Sequence, residues 1–299
     1  MEDIYPPFTG IALPRGLTLD LSGPPLVMGI VNCNTDSFFP PSRALADRAV
    51  ERALVLAGEG AGIVDLGAES TRPGAAYISA DEELERLVPV IEAIRRRSPV
   101  PLSVDTRKAA VARRCLEAGA DMINDVSALE DDPEMGRVCG EKKAALILMH
   151  KKGTPADMQQ DPRYTDAAAE VGAYLEAAAD RAVRQGVLRD RIILDPGIGF
   201  GKKLGDNLDI LARLAEICRR GYPVLVGLSR KTFAGELTGR PAADRLAGTL
   251  AAEAWSVLQG ARIIRVHDVR ETADLVRVLW GIFTAAETRR NINRQDTGG

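Results

Sequence analysis

The sequence predicts an α/β protein, a (β/α)8 TIM barrel with a short N-terminal β-hairpin. Eight short aliphatic runs alternate with longer Ala/Glu/Arg-rich stretches of helical period. The runs are near-continuously apolar, as strands covered on both faces are, and every gap between them has room for a crossover helix. The chain has 299 residues, a length at which eight such units fold as one domain of about 250 residues. Alternation alone also admits an open, doubly wound sheet.

The elements follow in order. Residues 1–25 contain TGIALP and GLTLDL, split by Pro14–Gly16, which read as a hairpin capping the barrel. The barrel itself is expected over 26–288. Its strands are LVMGIVN from Leu26, IVDLGAE from Ile63, PLSVDT from Pro101, MINDVS from Met122, AALILMH from Ala144, IILDPG from Ile192, PVLVGLS from Pro223 and RIIRVHD from Arg262. Between the first two, Ala49, Ala53, Leu56 and Ala57 share one helical face before a glycine stop. The segment DEELERLVPVIEAIRRR begins acidic and ends basic, as the helix dipole favours. VARRCLEAGA closes at Gly119, and Thr165 to Gly186 allows a long helix. The tail 289–299 reads as disordered.

Composition excludes several classes. Hydrophobic residues make up 45% and charged residues 27%, the balance of a soluble globular chain. Lys and Arg number 39 against 42 Asp and Glu, a net charge of −3, so no bulk positive field recruits nucleic acid. No apolar run reaches the roughly 18 residues of a membrane span, and MEDIYPPFTG lacks the layout of a secretory signal. Four cysteines without a C-x-x-C pair argue against a zinc ribbon and fit reduced thiols in the cytoplasm. Two histidines leave little for a histidine-rich metal centre.

Chemistry in such a barrel is built at the C-terminal strand ends. There the sequence places Asn32, Asp65, Glu69-Ser-Thr-Arg72, Asp105, Asn124-Asp125, His150, Asp195, Ser229-Arg230-Lys231, and Arg265, His267 and Asp268. Asp105, Asn124 and Asp195 should project into the barrel mouth, where carboxylates and an amide suit a planar heterocycle carrying several N–H groups. Arg72, Arg230, Lys231, Arg265 and His267 make a cationic arc fit for a phosphorylated group. The glycine-dense DPGIGFGK meets neither G-x-G-x-x-G nor the Walker pattern. It reads as a tight strand-to-helix turn that brings Asp195 and Phe200 close to a ligand.

At these residues the chain resembles the dihydropteroate synthases. The similar segments are MGIVN (28–32), DLGAESTRPGA (65–75), SVDTRKAAVA (103–112), GADMINDVSAL (119–129), LMHKKGTPADMQ (148–159), LDPGIGFGKKLGDN (194–207), VGLSRKTFAG (226–235) and RVHDV (265–269). The resemblance implies condensation of 6-hydroxymethyl-7,8-dihydropterin diphosphate with p-aminobenzoate, giving 7,8-dihydropteroate and diphosphate. It implies a pterin pocket of Asp105, Asn124, Asp195, Phe200, Gly227 and Lys231, and diphosphate binding by Asn32, Arg72, Arg265 and His267. It further implies p-aminobenzoate contacts at Thr71 and Ser229, Mg²⁺ bound at Asn32, and a homodimer. Asp105, Lys231, Arg265 and His267 are the expected catalytic groups, acting on a dissociative reaction in which diphosphate leaves first.

One stretch departs from the family pattern N-x-T-P-D-S-F-S-D-G-G. Here it is Asn32-Cys-Asn-Thr-Asp36-Ser-Phe-Phe-Pro-Pro-Ser, without the Thr-Pro and the glycine pair. Pro40-Pro41 should stiffen it and alter affinity for p-aminobenzoate or sulfonamides. Lys152 stands where arginine is common. Two other readings share the pterin pocket. One is a methyltransferase acting between a folate and a corrinoid protein, against which Ser229-Arg230-Lys231 and Arg265-Val-His267 argue. The other is a non-catalytic pterin-binding paralogue.

Overall fold

In the computed structural model of the chain, residues 8–33, 43–69, 78–153, 158 and 161–296 are described. Strands β1 (Gly10–Ala12) and β2 (Thr18–Asp20) pair antiparallel, with Gly10 opposite Asp20, and form the expected hairpin around Pro14–Gly16. Eight parallel strands follow: β3 (Leu26–Asn32), β4 (Ile63–Gly67), β5 (Leu102–Asp105), β6 (Met122–Asp125), β7 (Ala145–Met149), β8 (Ile192–Asp195), β9 (Leu225–Gly227) and β10 (Ile263–Val266). They pair in chain order from β3 to β8, while β10 lies between β3 and β9. A parallel bridge from Leu194 to Val224 joins β8 to the β9 side, and the Leu194 N–H donates to Pro223 O at 2.9 Å. The ring is therefore a (β/α)8 barrel rather than an open sheet.

Helices α1 (Arg43–Glu59), α2 (Ala80–Arg95), α3 (Ala109–Ala118), α4 (Met135–Lys142), α5 (Ala167–Arg184), α6 (Leu204–Ala212), α7 (Leu214–Cys218), α8 (Thr232–Thr238), α9 (Leu246–Leu258) and α10 (Val269–Asp296) fill the crossovers. Their starts follow capping chemistry. Ser79 accepts from the Glu82 N–H ahead of α2, and Asp166 accepts from Ala169 N–H ahead of α5. The expected disordered tail is corrected in part, because α10 runs on to Asp296. TAAETRRNINRQ contains no Pro or Gly and is rich in good helix formers, so the docked helix propagates through it.

The period of two along each strand divides the barrel interior into an apolar lower half and a polar upper half. Met28, Ile63, Met122, Ala145, Ile147, Ile193, Leu225 and Ile263 fill the lower half and pack against Ile11, Leu13, Leu19 and Leu21 of the hairpin. Two residues further along the same inward phase come Asp65, Asn124, Asp195, Gly227 and Arg265. Asp65 pairs with Ser103 across β4 and β5, and Asp105 with Asn124 across β5 and β6, so these side chains share that upper half.

The hairpin is fastened electrostatically. Arg15 donates through Nε and a terminal nitrogen to fully buried Asp121 at 2.8–3.1 Å. Asp121 also accepts from Arg95 and from the Leu102 N–H. Buried Arg262 donates to the carbonyls of Leu21 and Gly23. Replacing Asp121 by Ala strands two arginines, so Asp121→Ala should lower unfolding free energy by about 3 kcal/mol in urea titrations. A loss near zero would show that the hairpin is held by apolar packing alone.

Candidate active site

Arg265 is the centre of the upper half. Its Nε donates to Asp65 Oδ2 at 2.7 Å, and a terminal nitrogen lies 2.6 Å from the same oxygen and 3.0 Å from Asp105 Oδ2. Asn124 Nδ2 adds a long 3.4 Å bond to Asp65. Burial works against the Arg265 guanidinium, but Asp65 and Asp105 overcome it and raise its pKa. Desolvation pushes Asp105 up to about 7, against the pull of Arg265 and with Asp65 adding to the rise. Desolvation likewise raises Asp195, with Lys231 opposing it. Burial brings Lys231 down to about 8, opposed by Asp195.

The turn after β8 places the next groups. Asp195 Oδ1 accepts from the Gly197 N–H at 2.7 Å. Gly197 and Gly201 have φ of +62°, where a Cβ would sit 1.9 Å from His150 O and 2.1 Å from Lys152 O respectively. Only glycine fits either position, which explains the glycine density of DPGIGFGK. Lys231 donates to the Ile198 carbonyl, and its Nζ lies 4.6 Å from the centre of the Phe200 ring. Gly227 stands beside Arg265 in register.

His267 lies one residue beyond the end of β10 and two after Arg265. The Ser229 Oγ lies 3.1 Å from His267 Nδ1 and accepts from the His267 N–H at 3.3 Å. Asn32 is exposed at the C-terminal end of β3, opposite Gly67 of β4. Thr71, Arg72 and the 34–42 stretch lie outside the described residues.

Other residues take roles that the sequence left open. Arg230, one of the expected cationic arc, spends its guanidinium on Asp268 at 2.7 and 3.0 Å. Asp65 was legible as a strand-end carboxylate, yet its partner Arg265 comes from β10, on the other side of β3. Glu69 accepts from Arg107, Lys108 and the Ile78 N–H, which ties together the two ends of the β4–α2 connection. Burial opposes its charge, but these bonds hold its carboxyl below the ordinary range. His150 is buried and accepts from Lys202 at 2.8 Å, and burial lowers its pKa to about 3.

Removing Arg265 should therefore cost more stability than a rim arginine. Arg265→Ala leaves Asp65 and Asp105 facing each other uncompensated, an expected loss of about 3 kcal/mol or more. The double variant Arg265→Ala/Asp65→Ala should recover part of that in a denaturation cycle. Strict additivity would show that the pair is not coupled.

Comparison with known proteins agrees with this geometry. The pterin binding enzyme family matches residues 28–267. The chain is 44% identical over 278 residues to the dihydropteroate synthase of Escherichia coli K12, covering 92% of this chain and 98% of that one. The dihydropteroate synthase of Xanthomonas albilineans with 4-aminobenzoic acid superimposes with a TM-score of 0.84 at 42% identity, covering 91% of this chain and 98% of that one. That of Burkholderia cenocepacia, complexed with 7,8-dihydropteroate, gives 0.84 at 39% identity, covering 94% and 98%. The chain belongs to the dihydropteroate synthase family of pterin-binding enzymes.

Proposed function

We propose that the chain is a working dihydropteroate synthase, a transferase joining 6-hydroxymethyl-7,8-dihydropterin diphosphate to p-aminobenzoate in folate biosynthesis. The observation that carries this reading is the charged upper half of the barrel, with Asp105, Asn124 and Asp195 beside Lys231 and Arg265. The two carboxylates accept from the N–H groups of a pterin edge, and Asn124 both accepts and donates. Phe200 and Gly227 line the flat ring, while Lys231 faces its polar rim. Arg265 near the end of β10 and His267 just beyond it supply a cationic seat for the diphosphate, to which the family resemblance adds Asn32 and Arg72. Ser229, beside His267, and by the family resemblance Thr71 are assigned to p-aminobenzoate.

The reaction breaks the C–O bond to diphosphate and leaves a methylene cation conjugated with the pterin. The aryl amine lone pair then forms the C–N bond and the amine releases a proton. Asp105 stabilises the developing positive charge through space, and Arg265 with His267 stabilises the departing anion. No strong base is needed, in keeping with the residues present.

Asn32 offers an amide oxygen, and the described residues hold no cluster of three His, Cys, Asp or Glu side chains able to hold a metal alone. That donor set suits Mg²⁺, which is commonly held by one or two protein oxygens plus substrate phosphate oxygens and water. When bound, Mg²⁺ supplies charge neutralisation at the leaving diphosphate. The four cysteines are free thiols, which supports a reducing, cytoplasmic setting. Among the described residues no helix is long and apolar enough to cross a membrane. The exposed Trp255, Leu258, Val278 and Ile282 on neighbouring helices α9 and α10 support a homodimer. The acidic overall charge supports small molecules, not nucleic acid, as partners.

Purified protein given both substrates and Mg²⁺ should release diphosphate, and EDTA should abolish release. Pterin binding without release would favour the non-catalytic reading. Lys231→Ala should weaken a pterin analogue by about tenfold or more in calorimetry. The pH profile of kcat/KM for the pterin substrate has a definite sign. Asp105 acts as the carboxylate, so activity falls as pH drops below about 7. Lys231 acts as the ammonium, so activity falls as pH rises above about 8. Asp105→Asn should remove the acid limb from whatever activity is left; an unchanged acid limb would assign it to another group.

A further inference from the structure

Lys202 has no part in the reading above, yet it is one of the most deeply buried cations in the chain, 3% exposed. Its Nζ donates to Gly197 O at 2.9 Å, to Phe200 O at 3.0 Å and to His150 Nδ1 at 2.8 Å, with His150 O further off at 3.3 Å. Among the described residues no carboxylate lies within ion-pair distance of it. An ammonium has three N–H groups, and of the four acceptors at hydrogen-bond distance three lie at 2.8–3.0 Å. His150 then carries its proton on Nε2 and offers the Nδ1 lone pair, which suits a neutral, buried imidazole.

A buried ammonium costs several kcal/mol unless it is fully bonded, and an apolar chain of the same length would fill this space without that cost. What the ammonium adds is the shape of the turn. Lys202 takes the carbonyls of Gly197 and Phe200, and Lys231 takes the carbonyl of Ile198 between them. The Phe200 ring lies against Lys231 Nζ, and the Gly197 N–H is bonded to Asp195. Three groups of the pterin pocket are thus set by one seven-residue turn whose inner carbonyls Lys202 holds.

We infer that Lys202, with His150 as its acceptor, is a positioning residue for the pterin half of the site, acting through Phe200, Asp195 and Lys231. The inference rests on the pterin-pocket reading and leaves the p-aminobenzoate side untouched. It separates binding of the two substrates, which a purely structural role does not do.

Lys202→Met keeps the length of the side chain and removes the charge. The KM for the pterin substrate and the Kd of a pterin analogue should rise about tenfold, while the KM for p-aminobenzoate stays within about twofold. Thermal stability should be retained or raised, since a packed apolar chain replaces a buried ion. Equal changes in both KM values, or none, would overturn the inference. If Lys202→Met does not fold, His150 decides the matter. His150→Leu removes an acceptor and should weaken the pterin analogue about threefold or more, whereas His150→Asn sets an amide oxygen near the Nδ1 position and should recover most of it. Unchanged pterin affinity in His150→Leu overturns the inference as well. Wild-type protein that binds no pterin would instead sink the pocket reading.

Discussion

Arg265 stands between Asp65 and Asp105 in the upper half of a barrel, and the polar half-core depends on that contact. A (β/α)8 interior is usually packed with branched aliphatic layers. Here three carboxylates, Asp65, Asp105 and Asp195, share the space with Arg265 and Lys231. Burial disfavours the charged forms of Asp105, Asp195 and Lys231. Together they remain one positive charge short when all are ionised. In the reaction proposed above, the positive charge developing on the pterin would complete that balance instead of disturbing it.

The polar half is possible because the lower half is closed. The hairpin side chains Ile11, Leu13, Leu19 and Leu21 extend the apolar layer of the strands below the charges. Arg15 and Arg262 fix this plug through Asp121 and through backbone carbonyls. The bottom of the barrel is thereby lined by apolar side chains, and the low dielectric that raises the cost of the ions also strengthens their attraction. Hairpin and ion cluster are separate in sequence but serve one electrostatic arrangement.

The sequence shows the strands and the inward phase clearly, because an apolar run with a charge at every second position near its end admits few other readings. Asp105, Asn124, Asp195, Lys231 and Arg265 were all legible from that pattern, and the structure brings them to one rim. Pairings were not legible. Arg230 and Arg265 are both strand-end arginines, yet one is bound to Asp268 and the other to Asp65, a choice fixed only when distant strands meet. Lys202 belongs to the glycine-dense stretch that matches neither nucleotide motif; its acceptors come from the folded turn and from His150, just beyond β7. The end of α10 was missed for a different reason, since a polar helical extension of a docked helix has the composition of a loose tail.

The S-R-K triplet after β9 shows how backbone strain serves this site. Arg230 adopts φ of +57°, a left-handed conformation costing a non-glycine residue about 1 kcal/mol or more. Three tertiary contacts hold it there. Its N–H donates to Thr249 Oγ1 at 3.0 Å, its carbonyl accepts from Arg245 at 3.0 Å, and its guanidinium is clamped by Asp268. None of these contacts involves Asp105, Asn124, Asp195 or Phe200. Their effect is on the neighbours: Ser229 is presented to His267, and Lys231 to Ile198 and Phe200. The arginine between them acts as an anchor, and its charge is neutralised before any substrate arrives. The cation left uncommitted to Asp268 in this triplet is therefore Lys231, so one positive charge rather than two faces Asp195.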